Sequence, residues 1–219
     1  MDAFIKKQDF NYIKRCLLDF NSTLRGCADK NIVEANKLYI QSKIYNLFKD
    51  LSQEQKYLLS IDNITDTLQI DPYIKSLDEY VYGMDKITES QIRKLFKKEK
   101  KLKIPSEEVL NSKKVYLSWI DESINKMYIA YNLKDKLIGM TCRLDFHKNK
   151  SVNICSLCNN IGDESEVTFV SSTCKTGSAK YGNYKSIGFH ICLNNEKCNE
   201  SITSLDKLEK LLKEVNDIR

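Results

Sequence analysis

The sequence predicts an α+β chain: a helical bundle over residues 1–86, then an α/β domain with a small antiparallel sheet and a four-cysteine finger over residues 87–219. Three observations carry this. Apolar residues recur at helical spacing as far as about Met84. Beyond it the period shortens to two, in short runs rich in β-branched and aromatic residues. Within that second half, Cys155 and Cys158 form a C-x2-C pair and Cys192 and Cys198 a C-x5-C pair.

In the first half, Asp9 is expected to cap a helix that buries Ile13, Cys16, Leu17, Phe20 and Leu24 and stops at Arg25-Gly26. Asp29 is expected to cap a second helix, with Ile32, Val33, Leu38, Ile44, Leu47 and Phe48 on its inner face. Leu51 to Ile61 reads as a third helix capped by Ser52. A fourth starts near Pro72, since proline is tolerated in a first turn, and buries Tyr73, Ile74, Leu77 and Val81 before Gly83. Short connections between amphipathic helices imply antiparallel neighbours.

The second half opens on a strong local signal. Thr88 and Gln91 have capping-box spacing, and Ile87 with Ile92 makes a hydrophobic staple. The helix they start runs into the basic stretch Lys97 to Lys103, before Pro105. Strands are predicted at Val115 to Ile120, Met127 to Tyr131 and Leu137 to Leu144, with a polar hairpin turn over Asn132 to Lys136. Trp119 is expected to pack the sheet against the preceding helix. Further strands fall at Val167 to Val170 and Phe189 to Cys192, separated by a polar loop from Lys175 to Tyr184. The last segment is an amphipathic helix with Leu205, Leu208, Leu211, Leu212 and Val215 on one face.

The cysteine spacing carries chemistry. A C-x2-C turn points two thiolates at one metal, and a second pair from distant sequence completes a tetrahedron, the usual structural zinc arrangement. Cys155, Cys158, Cys192 and Cys198 are the expected ligands of a structural Zn2+. Cys174, between the pairs, and His190, two residues before Cys192, remain competitors. Four thiolates leave no open position, so such a metal holds the fold and activates no water. The order of knuckle, hairpin and helix matches a treble-clef finger.

Of the 219 residues, 42% are hydrophobic and 30% charged, an ordinary soluble profile. No apolar run approaches the roughly 20 residues of a membrane span. The segment Met1 to Lys7 lacks a signal-peptide core, so a cytoplasmic protein is expected. Net charge is −1 over residues 1–86 and +6 over residues 87–219, giving the overall +5. The basic excess allows a nucleic-acid surface, yet no stacking motif of the RNP type accompanies it. Phosphate-loop, dinucleotide, zincin and nucleophile-elbow motifs are missing, and His147 and His190 are the only histidines, so no enzyme is expected.

Several segments together resemble the FusB/FusC family, the elongation factor G-binding proteins that include fusidic-acid-resistance determinants. They are Arg93 to Lys98 with Lys100 to Pro105, Tyr116-Leu117-Ser118-Trp119, Lys126 to Tyr131, Cys155 to Asn159, Gly188 to Cys192, and Cys198-Asn199. The resemblance implies an N-terminal helical bundle and a C-terminal domain with a four-cysteine treble-clef zinc finger. It also implies a non-enzymatic, monomeric protein that binds elongation factor G, on and off the ribosome. Such proteins release the factor trapped by fusidic acid and leave the drug unaltered, which is target protection. Positions matching the family's partner contacts hold Ile154, Ile187, His190 and Leu211, with Tyr184 and Lys185 on the same loop. A zinc-stabilised nucleic-acid-binding module remains the alternative.

Overall fold

The computed structural model describes residues 1–145, 151–175 and 184–218. The chain divides into two compact units, Met1–Tyr82 and Gly83–Arg219.

In the first unit, β1 (Ile5–Lys6) pairs in parallel with β2 (Val81–Tyr82). That pairing delivers the chain directly into α1 (Lys7–Gly26), so the helix starts ahead of Asp9. Lys6 holds the N-cap position without a side-chain bond, and Asp9 lies in the first turn, where its charge suits the helix dipole. α1 buries Phe10, Ile13, Cys16, Leu17 and Phe20 against α2 (Lys30–Tyr45) and α4 (Ile70–Leu77). Asp29 caps α2 as expected, accepting from the Asn31 amide at 2.8 Å. Ser52 and Gln55 close a capping box on the short α3 (Gln53–Leu58). Pro72 stands within the first turn of α4, and Val81 has left that helix for β2.

The inner face of α2 differs from the expected stripe. Ile44 is buried and Val33, Leu47 and Phe48 pack partly buried against the same core as expected, but Ile32 and Leu38 are exposed, and Lys37, Ile40 and Gln41 are buried in addition. The reason is the segment after α3, which needs polar partners more than apolar ones. Gln41 donates to the Leu59 carbonyl at 3.1 Å and accepts from the Ile61 amide at 2.7 Å. Lys37 Nζ donates to the Asp62 carbonyl at 2.5 Å. Leu59 and Ile61 are buried, so their backbone groups must find partners, and Gln41 supplies them.

The second unit is built on a five-stranded antiparallel sheet. Its strands are β3 (Leu117–Asp121), β4 (Lys126–Leu133), β5 (Lys136–Asp145), β8 (Val167–Thr173) and β9 (Ser186–Cys192), in that spatial order. The β4–β5 turn is two residues, Lys134 and Asp135, both with positive φ, the geometry that matches the twist of a tight hairpin. β4 is buried on both faces. Met127, Ile129 and Tyr131 join one core, and Tyr128 and Ala130 the other, by the period-two alternation of a strand.

The second of these cores lies under α5 (Glu89–Leu95). Thr88 and Gln91 form its capping box, and Ile87 and Ile92 are buried there. Gly139 on β5 admits this packing, since a Cβ there would come within 2.8 Å of both Leu95 and Phe96. Trp119 stacks on Tyr128 at 5.1 Å, meets Phe96 edge-on at 5.5 Å, and donates to the Lys103 carbonyl at 2.8 Å. A short α6 (Glu107–Asn111) precedes β3. The opposite face of the sheet is covered by α8 (Asp206–Asn216), which buries Leu208, Leu211, Leu212 and Val215. No described helix is long and apolar enough to cross a membrane.

Candidate metal centre

Two strands of two residues, β6 (Asn153–Ile154) and β7 (Ile161–Gly162), form a minimal antiparallel hairpin. The knuckle lies at its tip. The Cys155 amide donates to the Asn160 carbonyl at 2.8 Å, and the Asn159 amide to the Cys155 carbonyl at 3.0 Å. Asn159 closes the turn at φ 62°, which asparagine tolerates better than most residues. This tight turn places Cys155 and Cys158 on one side. Asn153 ties the base of the hairpin down, donating to Glu164 Oε2 at 2.8 Å and to the Val167 carbonyl at 2.9 Å.

Cys192 ends β9, and Cys198 is the fourth residue of α7 (Asn195–Ser201), which Asn194 caps. The Ser156 amide donates to the His190 carbonyl at 2.8 Å, fastening the knuckle to β9. Asn199 fastens α7 to the chain entering β3. Its Oδ1 accepts from the Val115 and Tyr116 amides at 2.7 and 3.1 Å, and its Nδ2 donates to the Tyr116 carbonyl at 3.1 Å.

These constraints bring the four sulfurs of Cys155, Cys158, Cys192 and Cys198 within 4.8 Å of one another, all buried. Cys155 and Cys198 sulfurs are 3.8 Å apart, Cys158 and Cys192 sulfurs 3.5 Å. Thiolates at about 2.3 Å from a tetrahedral zinc stand roughly 3.8 Å from each other. The spacing fits a four-sulfur metal site and is far too long for disulfides. Hydrogen bonds from Cys158, Cys192 and Cys198 hold the Cys155 thiol well below its ordinary range. The same contacts push Cys192 and Cys198 up, Cys155 first among the causes. Four thiols this close cannot all ionise unless a cation neutralises them, and a divalent metal supplies that charge.

Neither competitor joins the group. Cys174 is buried at the far end of β8, where its amide donates to the Lys185 carbonyl at 2.8 Å. The His190 ring packs edge-on against Phe169 at 5.4 Å. Cys142, on β5, is a core residue whose thiol burial pushes up to about 12.

The residues matched to partner contacts are scattered. Ile154 is 57% exposed on the knuckle, and Tyr184 is 72% exposed ahead of β9. Lys185 is held by Glu214 at 2.7 Å, while Ile187 and His190 are half-buried along β9. Leu211 is a correction: it is only 4% exposed, packed between α8 and the sheet, and presents no surface. Sequence reasoning passed over Val152 and Ile161, 72% and 65% exposed, which flank Ile154 on the same hairpin. The signal was available, since apolar residues beside a metal knuckle whose core is sulfur have nowhere inward to go. His147 and most of the loop from Lys175 to Tyr184 lie outside the described residues.

Comparison with known families decides what this finger is. Residues 4–85 match the model described as the elongation factor G-binding protein N-terminal domain. Residues 87–217 match the FBP C-terminal treble-clef zinc-finger, more than half of the chain. The chain belongs to the FusB/FusC family. A solved structure titled "Structure of the fusidic acid resistance protein FusC" superposes with a TM-score of 0.80 at 25% identity, over 98% of both chains. A comparison with curated proteins gives no match. In the terms of this family, the knuckle of β6 and β7, the β8–β9 hairpin and α7 are the treble clef, and the four-cysteine group lies at its centre.

Proposed function

We propose that Cys155, Cys158, Cys192 and Cys198 hold one structural Zn2+, and that the protein binds elongation factor G and promotes its release from the ribosome. The observation that carries the metal reading is the buried group of four sulfurs, all within 4.8 Å of one another. The reading of the partner is carried by the match of both halves of the chain to the elongation factor G-binding family. Four thiolates around one ion leave no position for a substrate, which supports a binding role without catalysis.

Release of a stalled factor follows from differential binding. A protein that binds the factor better in the leaving conformation than in the trapped one shifts the equilibrium toward departure. In a cell exposed to fusidic acid this is resistance by target protection; in its absence the same act is housekeeping. The protein acts as a cytoplasmic monomer in this reading. The contact surface centres on Ile154, with His190 beside the knuckle and Ile187, Tyr184 and Lys185 along β9 and the chain leading into it.

The test is calorimetric titration of the zinc-loaded protein into elongation factor G without ribosomes, followed by a release assay on ribosomes stalled with fusidic acid. A one-to-one complex and faster release are expected. A second reading, nucleic-acid binding by residues 87–219, draws on their basic excess. It predicts a steep fall of affinity with salt, which a protein interface centred on apolar residues does not show.

A further inference from the structure

We propose that Lys98, Lys136 and Lys175, with the Tyr184 ring beside them, form a seat for single-stranded nucleic acid, phosphates on the amines and one base on the ring. The proposal deepens the second reading above and rests on it; it needs neither the metal nor elongation factor G.

Three separate segments bring the lysines to one end of the sheet, and they meet around Gly139 on β5. Leu95 and Phe96 lie over its Cα, so closely that a Cβ would come within 2.8 Å of each. The Glu99 amide donates to the Phe96 carbonyl at 2.9 Å, a tight turn that holds Lys98 just beyond Phe96. The Gly139 carbonyl accepts from Asn216 Nδ2 at 3.1 Å, and Asn216 Oδ1 accepts from Lys175 Nζ at 2.6 Å. The Lys175 amide donates to the Val215 carbonyl at 2.8 Å, which fixes its backbone as well. Lys136 opens the same strand as Gly139, beside the β4–β5 turn. Burial, then Lys98 and Lys136, lowers the Lys175 ammonium below its ordinary range, in keeping with this grouping. The metal centre lies at the other end of the sheet, since β8 faces Cys192 at Val167 and reaches Lys175 only after its last residue.

Like charges gathered without a counter-charge weaken a fold. Other lysines of this unit are neutralised: Lys126 by Glu99 at 2.8 Å, Lys185 by Glu214 at 2.7 Å, Lys197 by Glu166 at 3.0 Å. Among the described residues, none of Lys98, Lys136 and Lys175 has a carboxylate partner, and all three are exposed. Their charges are left for an anion from outside, and Tyr184 selects its kind. The β8–β9 register pairs Thr173 with Ser186, and beyond it the Cys174 amide donates to the Lys185 carbonyl at 2.8 Å. The next step of that register sets Tyr184 across from Lys175, with 72% of its surface exposed. Every base has a face that stacks on such a ring, whereas an acidic peptide has none.

The experiment measures fluorescence anisotropy of a labelled oligouridylate with the full-length protein, without elongation factor G, over a range of KCl. Three phosphate contacts predict a slope of about −2 in log affinity against log salt, an affinity loss of about 20-fold between about 50 and 200 mM. Lys98→Gln with Lys136→Gln and Lys175→Gln should bring that slope close to zero. Glutamine keeps a donor for Asn216, and a melt confirms that the variant is folded. Tyr184→Ala should weaken binding at least about 5-fold and leave the slope unchanged, the mark of a lost stack rather than a lost charge. Lys197→Gln, on α7, should change neither. A wild-type protein that binds the strand with a slope the triple variant retains would overturn the seat and leave the second reading standing. A wild-type protein that does not bind the strand at low salt would overturn both. Displacement of the strand by polyglutamate as readily as by unlabelled oligouridylate would make the surface one for acidic protein, and overturn the proposal too.

Discussion

The amide of Ser156 donates to the carbonyl of His190 at 2.8 Å, so the turn carrying Cys155 and Cys158 is stitched to the strand that ends in Cys192. The backbone thereby presents three of the four sulfurs together, and α7 adds the fourth. A metal bound there joins the knuckle, β9 and α7 at a single point, beside the hydrogen bonds from Ser156 to His190 and from Asn160 to Ser201.

Removing the metal should therefore loosen the second unit. Structural zinc contributes on the order of 10 kcal/mol to folding in small finger domains. Cys192→Ser is expected to lose zinc and to lower the melting transition of the unit, as a strong chelator should for the wild type. Cys174→Ala, buried but outside the group, should keep one zinc per chain. Metal analysis with calorimetric melting checks both, and a Cys192→Ser protein with unchanged zinc and an unchanged melt would contradict the ligand assignment.

Asn199→Ala tests the latch between α7 and the sheet. It strands the amides of Val115 and Tyr116, both buried, without their acceptor. Each unsatisfied buried amide costs about 1–3 kcal/mol, so a loss of about 3 kcal/mol is expected. Trp119 is the single tryptophan and lies in this unit, so its fluorescence in urea reports the relevant transition. Asn199→Asp should do no better, since it keeps the acceptor, loses the donor and sets a carboxylate near the thiolates. An unfolding midpoint equal to wild type in both variants would rule out the latch.

Much of this architecture was legible in the sequence, and the failures share a cause. The Thr88–Gln91 capping box, the Asp29 cap and the strand from Met127 to Tyr131 are local and stand in the structure as expected, and the cysteine spacing brings four sulfurs into one cluster. On α2, Val33 and Ile44 pack on the core as expected, but Lys37 and Gln41 look like solvent residues until the chain after α3 comes to need their hydrogen bonds. The start of α1 was misplaced because it is set by Val81, far along the chain. Asn199 stood in a recognisable segment, yet its role depends on Val115 and Tyr116, which only the fold brings near. Leu211 belongs to a stripe that sequence alone assigns equally well to a core or to an interface.

Alkaline pH should unfold the second unit through its buried phenols. Burial first, then Glu209, pushes Tyr131 up to about 12, and burial, then Glu99, does the same for Tyr128. A folded value above the unfolded one means that the folded state holds the proton more tightly. The stability this adds is fully present below the ordinary phenol value of 10.0 and disappears as pH rises through about 12. Phenolate absorbance should therefore appear in two phases, exposed tyrosines first and the buried set only as circular dichroism is lost. A single phase near the ordinary value, with the fold intact, would show that these phenols are open to water.

The knuckle offers the sharpest separation of binding from folding. Ile154 and Ile161 are directly paired across β6 and β7, and both are more than half exposed. Exposed apolar pairs contribute little to stability, so Ile154→Ser with Ile161→Ser should move it by no more than about 0.5 kcal/mol each. If the pair anchors elongation factor G, truncating it should weaken the complex at least about 10-fold, the usual consequence of losing a central apolar contact. Leu211→Ala should behave in the opposite way. It opens a cavity under α8, costs about 2–5 kcal/mol of stability and affects association only by unfolding the unit. Calorimetric titration at a temperature where every variant is folded distinguishes the two. A double isoleucine variant that binds like wild type, beside a folded Leu211→Ala that does not, would move the interface from the knuckle to α8.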